Sequence, residues 1–210
     1  GSKRPCAVLA SNGAHCLATG ILSADRAAIL SERLLADDIF SGWGIRTLSN
    51  RERRYNPMSY HNGSVWPHDN AMAAWGLGCS GRTDGAVKVM TGLFDAAGGL
   101  NNESLPELFC GFPREPNLGP VPYPVACHPQ AWSAASIFLI LQGILGMEVR
   151  GFDRRMVMRS PAMPEWLDWI RFDNLRLGKS TLSFVAHRGR RGASIEVLEK
   201  RGDIAVEVHK

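Results

Sequence analysis

A mainly helical fold closed by a small antiparallel β segment is what this sequence predicts, on three observations. Two long loops rich in aromatic and polar residues each run into a Pro-led helix start, at Pro67 and Pro129. Proline suits the first helical turn, where its missing N–H would have had no partner. Capped, apolar-periodic stretches at 24–36 and 83–98 alternate with those Pro-led segments. After 161–164 (PAMP) the apolar pattern changes from helical spacing to alternation.

Each element follows from local signals. Ser11-Asn-Gly precedes a short helix at about 14–21, and Ser23 or Asp25 starts one to about Ala36, with Ile29, Leu34 and Leu35 on its apolar side. A polar-aromatic loop covers about 37–66, and Pro67 opens a helix to about Gly78. Thr83 or Asp84 caps the next, to about Ala97, with Val87, Val89, Met90, Leu93 and Phe94 apolar. A second long loop covers about 99–128, and Pro129 opens an apolar helix to about Gly146. Strands follow at 169–172, 181–185, 193–197 and 204–208, separated by turns at 178–179, 188–190 and 201–203. The predicted division is a helical unit over 1–160 and a β appendage over 161–210. The helices alternate between inner and outer, so both loops open above inner-helix N-termini, whose free N–H groups and positive dipole ends face a ligand.

Composition narrows the function classes. A hydrophobic fraction of 45% in 210 residues allows one domain with a real core. A net charge of +4 is only mildly basic, and the Arg-rich pieces at 51–54 and 187–191 read as solvated turns. No nucleic-acid partner is expected. No apolar run approaches the length of a membrane span. Five cysteines at 6, 16, 79, 110 and 127 are an odd number with no metal-type spacing, which suits reduced thiols in the cytoplasm. No phosphate loop, dinucleotide fingerprint or nucleophile elbow is present, and no metal or organic cofactor is implied. The Gly1-Ser2 start reads as an expression scar or the cut end of a longer chain.

The chemistry concentrates in two segments. The stretch 55–71 (YNPMSYHNGSVWPHDNA) gathers aromatics, histidines, Asn and Asp where a loop enters a helix. Aromatic faces beside planar hydrogen-bonding groups suit a pyranose, which offers apolar C–H faces and a rim of hydroxyls. Trp43, Trp66 and Trp132 are candidate ring platforms, with core packing as the competing role. Arg46, His61, His68, Asn70, His128 and Gln130 are candidate hydroxyl ligands, with helix capping competing at His68 and His128. Zinc held by His61, His68 and His128 is a weak alternative, without supporting spacing. Asp69 stays open between sugar-hydroxyl binding, capping in the first helical turn and proton donation; a helix N-terminus lowers a carboxyl pKa, whereas a general acid needs it raised. Glu107, in 105–112 (LPELFCGF), is the candidate catalytic carboxylate. Its competing reading is an exposed loop glutamate, and Glu103 is its nearest rival.

Four segments, 42–47 (GWGIRT), 55–71, 105–112 and 127–132 (CHPQAW), resemble in order the amylo-α-1,6-glucosidase type of glycogen debranching proteins, and the resemblance runs from about residue 5 to about 205. It implies an (α/α)6 toroid of the six-hairpin glycosidase kind, of which about three inner helices can be counted. It implies hydrolysis of an α-glucosidic branch in an oligosaccharide or glycogen-like glucan. It also implies an inverting mechanism with Glu107 as general base, the two carboxyl groups standing ~6.5–9.5 Å apart. In that family the general acid resembles an Asp in a Trp-Lys-Asp-Ser type motif far upstream, and no such motif occurs here. The expectation is therefore a C-terminal portion, inactive alone, that meets an N-terminal remainder or self-associates. A non-catalytic carbohydrate-binding remnant and a structural half stay open beside it. Asp69 and Glu107, 38 residues apart, are expected to face one concavity with Trp66.

Overall fold

The computed structural model describes every residue except 1, 4, 101–103 and 191. Glu103, the rival carboxylate, lies outside the described residues. A 3-10 turn at Ser11–Ala14 leads into α1 (His15–Ala18), followed by α2 (Ala24–Leu34), α3 (Pro67–Cys79), α4 (Thr83–Gly99) and α5 (Ala131–Ile144). Six strands complete the chain: β1 (Met147–Arg150), β2 (Arg155–Arg159), β3 (Trp169–Leu177), β4 (Ser180–Arg188), β5 (Ala193–Arg201) and β6 (Ala205–His209).

α3 is the centre of the helical part and packs against α1, α4 and α5. Its buried residues are mostly small: Ala71, Ala73, Ala74, Gly76 and Gly78. Small side chains let α5 approach to backbone contact. A Cβ at Gly78 would overlap the carbonyl of Gly143, and one at Gly143 would stand 2.5 Å from the carbonyl oxygen of Ala74. Leu77, Val89, Met90, Leu93, Ile140 and Ile144 fill the surrounding core.

The predicted toroid is overturned. Among the described residues there are five α-helices and two three-stranded sheets, with no ring of six helical hairpins. The physical reason lies at the end of α5. Gly146 takes a positive φ of 54° and turns the chain straight into the β1–β2 pair, within the range to 160 that the sequence reading gave to the helical unit. Helical spacing and capping could be read for each helix singly, but an alternation of inner and outer helices does not establish a closed ring. The β part also differs from a simple antiparallel appendage. β1, β2 and β6 form one sheet in which β2 and β6 are parallel, Met156 opposite Val206. β3, β4 and β5 form the second, antiparallel sheet, where Phe172 stacks on Phe184 at 4.5 Å. α5 begins at Ala131 with Gln130 at the N-cap position, so Pro129 precedes the helix and does not open it.

Candidate active site

Three loops are stitched together by single β-bridges, and this stitching builds the cleft. Arg46 bridges Val65, Val65 bridges Phe109, and Phe109 bridges Pro122. Val65 and Phe109 exchange backbone hydrogen bonds of 2.9 and 3.0 Å. Trp66 follows directly on Val65, and Glu107 lies at a bend two residues before Phe109. The Glu107 N–H donates to the Cys127 carbonyl at 3.0 Å, which ties the third loop to the second. The apolar Val65 and Phe109, both fully buried, anchor the ladder and leave the polar neighbours at the cleft.

The cleft has a volume of about 540 Å³ and is walled by Trp66, His68, Asp69, Glu107, His61, Tyr60 and Trp132, with Ser11, Asn12, Thr47 and Asn62 on its rim. That size falls within the roughly 300–1,000 Å³ of small-molecule sites. Trp66, Asp69 and Glu107 thus share one concavity. His68 stacks on Trp132 at 4.1 Å, and His61 stacks on Trp66 at 5.6 Å with an interplanar angle of 8°. Trp132 is 47% exposed and presents a free apolar face, whereas Trp66 is only 6% exposed.

Glu107 is the best-held carboxylate of the cleft. Its Oε1 accepts from the Tyr60 hydroxyl at 2.6 Å and its Oε2 accepts from the Cys127 N–H at 3.1 Å. The residue is 7% exposed. The Tyr60 hydrogen bond and the Cys127 amide hold its pKa below the usual glutamate value, against the opposing effect of burial. The same bond pushes the Tyr60 phenol up to about 12. Glu107 is therefore ionised at neutral pH, the state a proton acceptor needs. Burial lowers the His68 pKa more than the Asp69 charge raises it, so the imidazole against Trp132 is neutral at neutral pH.

Asp69 sits in the first turn of α3. Its Oδ1 lies 2.9 Å from His15 Nε2, while its Oδ2 and the Nδ1 of His68 are buried with no hydrogen-bond partner among the described residues.

The remaining candidates lie elsewhere. Trp43 is in the core under the Arg114 guanidinium, 4.4 Å from its ring. Arg46 is 1% exposed and donates to the backbone carbonyls of Gly111 and Asp37 at 2.7 and 3.2 Å. Asn70 is fully buried; its Oδ1 accepts from Ile45 N–H, and its Nδ2 donates to the carbonyls of Ile45 and Trp66. These three build the loops around the cleft and do not line it. His128 lies in a separate groove of about 190 Å³, with Ser104 Oγ 2.6 Å from its Nε2, so the three histidines of the zinc alternative do not converge. Gln130 does not line the cleft and makes no side-chain cap bond. Tyr60 belongs to the 55–71 motif, but nothing local marked it as the partner of Glu107, 47 residues away. His15 carried no sequence signal.

A bridged-loop cleft with a held carboxylate and stacked aromatic walls, on this helical scaffold, defines a glycoside hydrolase-like domain. The profile of the mannosylglycerate hydrolase MGH1-like glycoside hydrolase domain matches residues 1–112, more than half of the chain, and the chain belongs to that family. The match takes in Trp66, His68, Asp69 and Glu107 and stops short of Trp132. An uncharacterized conserved protein from Thermus thermophilus shares the fold, with 21% identity and a TM-score of 0.51 over 66% of this chain and 33% of that one. The GH63 mannosylglycerate hydrolase of the same organism, solved in complex with glucose, aligns at 22% identity with a TM-score of 0.46, covering 65% of this chain and 32% of that one. The chain thus spans about a third of the length of both structures. No curated protein matches the sequence significantly. The glycoside hydrolase class that the debranching-type resemblance implied is thus shown, in the MGH1-like family.

Proposed function

We propose that this chain supplies the base side of an inverting glycoside hydrolase site that acts on a short α-linked glucoside, with Glu107 as the general base. The observation that carries the reading is Glu107 itself. It is a buried, ionised carboxylate held by two neutral donors in an aromatic-walled cleft, and among the described residues no cation pairs with it. Burying an uncompensated ion costs free energy, so such an arrangement marks a chemical role more than a structural one.

In the proposed step Glu107 takes a proton from a water molecule as that oxygen attacks the anomeric carbon. The C1–O bond to the leaving sugar breaks with inversion, and the leaving oxygen receives a proton from an acid. Asp69 is the only other carboxylate lining the described cleft. Its Oδ1 is engaged by His15, and its Oδ2 is buried away from the open cleft. We therefore assign the proton donor to a group beyond the described cleft, supplied by further polypeptide. Trp132 offers its exposed side to a sugar ring, and His68 and Asp69 line the same cleft beside it.

Two linkages compete. The sequence motifs point to an α-1,6-glucosidic branch, and the family's name points to mannosylglycerate. A panel of p-nitrophenyl α-glucoside, p-nitrophenyl α-mannoside, a 6-α-glucosyl maltooligosaccharide and α-mannosylglycerate tests the reading. Turnover of the nitrophenyl α-glucoside, whose leaving group needs little acid assistance, lost in Glu107→Gln while saturable binding persists, is the expected result. A preference for mannosylglycerate overturns the glucoside assignment. Binding that never leads to turnover, even of the nitrophenyl glycosides, overturns the catalytic one.

A further inference from the structure

We infer that Tyr60 is a positioning residue for Glu107, locking the carboxylate in one orientation from the opposite loop. The inference rests on the reading of Glu107 as the base and deepens it.

The hydroxyl of Tyr60 lies 2.6 Å from Oε1 of Glu107, the length of a strong charge-assisted O–H···O bond. A tyrosine has one proton to donate, and here it is committed to the carboxylate. The ring that carries the hydroxyl is caged. It meets Trp66 edge-on at 4.7 Å, His61 at 4.6 Å and Tyr123 at 5.7 Å, so both loops grip it. Its backbone is pinned too, because the Tyr60 carbonyl accepts from Ser64 Oγ at 2.7 Å and from Trp66 Nε1 at 3.0 Å. The hydroxyl therefore has little freedom, and neither has the carboxylate that it holds.

Two consequences separate this from passive satisfaction of a buried acid. With Tyr60 on Oε1 and the Cys127 amide on Oε2, the glutamate cannot rotate about its last bond without breaking both bonds. That fixes the direction in which its remaining lone pairs meet water. The donors also favour the ionised form, so the base stays unprotonated into acid. A tyrosine that only filled space would be replaced by phenylalanine with neither effect.

The test compares the full chain with Tyr60→Phe and, as control, Tyr55→Phe, whose hydroxyl donates to the Gly111 carbonyl outside the cleft lining. The Glu107 carboxyl is titrated by carbon NMR, and turnover of an activated α-glucosyl substrate is followed against pH. Removing the hydroxyl should raise the Glu107 pKa, move the acid limb of the kcat profile in the same direction and lower kcat by roughly 10- to 100-fold, with KM little changed. The control should do none of these. If Tyr60→Phe fails to fold, ultraviolet titration of the tyrosines in wild type and Glu107→Gln reads the same bond from the other side. One of the three tyrosines should ionise near 12 in wild type and at a lower pH once the carboxylate is gone. An unshifted Glu107 in Tyr60→Phe with an unchanged acid limb overturns the role of Tyr60 and leaves the base reading standing. A Glu107 that shifts as expected while neither protein turns over substrate overturns the base reading, and with it the catalytic consequence drawn for Tyr60.

Discussion

His15 Nε2 lies 2.9 Å from Asp69 Oδ1, across 54 residues of chain, so a histidine of the first short helix holds a carboxylate on the cleft wall. The contact removes the simplest reading of an acidic residue in a first helical turn. Among the described residues Asp69 bonds through Oδ1 to His15 alone, and its second oxygen is left buried without a partner. Capping would have been a local matter; this contact ties the N-terminal segment to the cleft.

The first prediction follows from that pair. His15 is about half exposed, so solvent screening limits what the contact contributes. His15→Ala should cost no more than about 1 kcal/mol, a fall in Tm of roughly 2–4 °C for a chain of this size. Sugar affinity should weaken more than stability does, because Asp69 loses its fixed direction. Calorimetry beside a glucose titration followed by tryptophan fluorescence checks this. Unchanged affinity in a folded His15→Ala would separate Asp69 from sugar binding.

The second prediction concerns acid. The Glu107 pKa lies below its usual value of 4.5 because Tyr60 and the Cys127 amide stabilise the anion. A depressed folded-state pKa contributes stability that is present above the unfolded value and is lost as pH falls through the folded one. Wild type should therefore lose stability on acidification below about 4.5, and Glu107→Gln should lose less over the same window. Urea denaturation of both proteins from neutral pH downward reads the difference, and parallel curves would count against a depressed Glu107.

The third prediction concerns Asn70. Its side chain satisfies the Ile45 N–H and the carbonyls of Ile45 and Trp66 from a fully buried position. Asn70→Ala leaves those groups buried and unpaired, and the loss should be at least about 2 kcal/mol. The cleft should loosen as well, since the 44–46 loop is then detached from α3. Denaturant unfolding measures the first effect, and amide exchange at Ile45 the second.

The fourth prediction concerns the contact of α3 with α5. A methyl group at Gly78 meets the carbonyl of Gly143 on the neighbouring helix, and flexible side chains are not available there to give way. Gly78→Ala should destabilise by roughly 1–3 kcal/mol despite alanine's better helix propensity. A variant as stable as wild type would show that the helices are farther apart than described.

Much of the local structure was legible because its signals are local. Pro67 at the first turn of α3, the apolar spacing of Val89, Met90 and Leu93 in α4, and the alternation through β3 each sit within one element. The architecture was not, because it depends on what happens between elements. The positive φ of Gly146 and the parallel pairing of β2 with the distant β6 leave no periodic trace. The same division runs through the site. Trp66, His68, Asp69 and Glu107 stand out as chemical types in turn-rich loops, and the structure brings them to one cleft. Arg46 and Asn70 stand out equally, yet their hydrogen-bonding groups go to backbone, since a looped wall must satisfy its own buried N–H and C=O groups first. Tyr60 and His15 act across 47 and 54 residues, and nothing adjacent in sequence announces either pairing.

The most direct test of Glu107 as the base uses α-glucosyl fluoride with the chain itself. Fluoride departs without a proton donor, so the reaction asks only for a bound sugar and an activated water. Wild type should release fluoride and form β-glucose first, seen by proton NMR before mutarotation, because water attacks opposite the leaving group. Glu107→Gln should lower the rate by roughly 100-fold or more while glucose still binds. Turnover by Glu107→Gln at the wild-type rate, or α-glucose as the first product, would contradict the assignment.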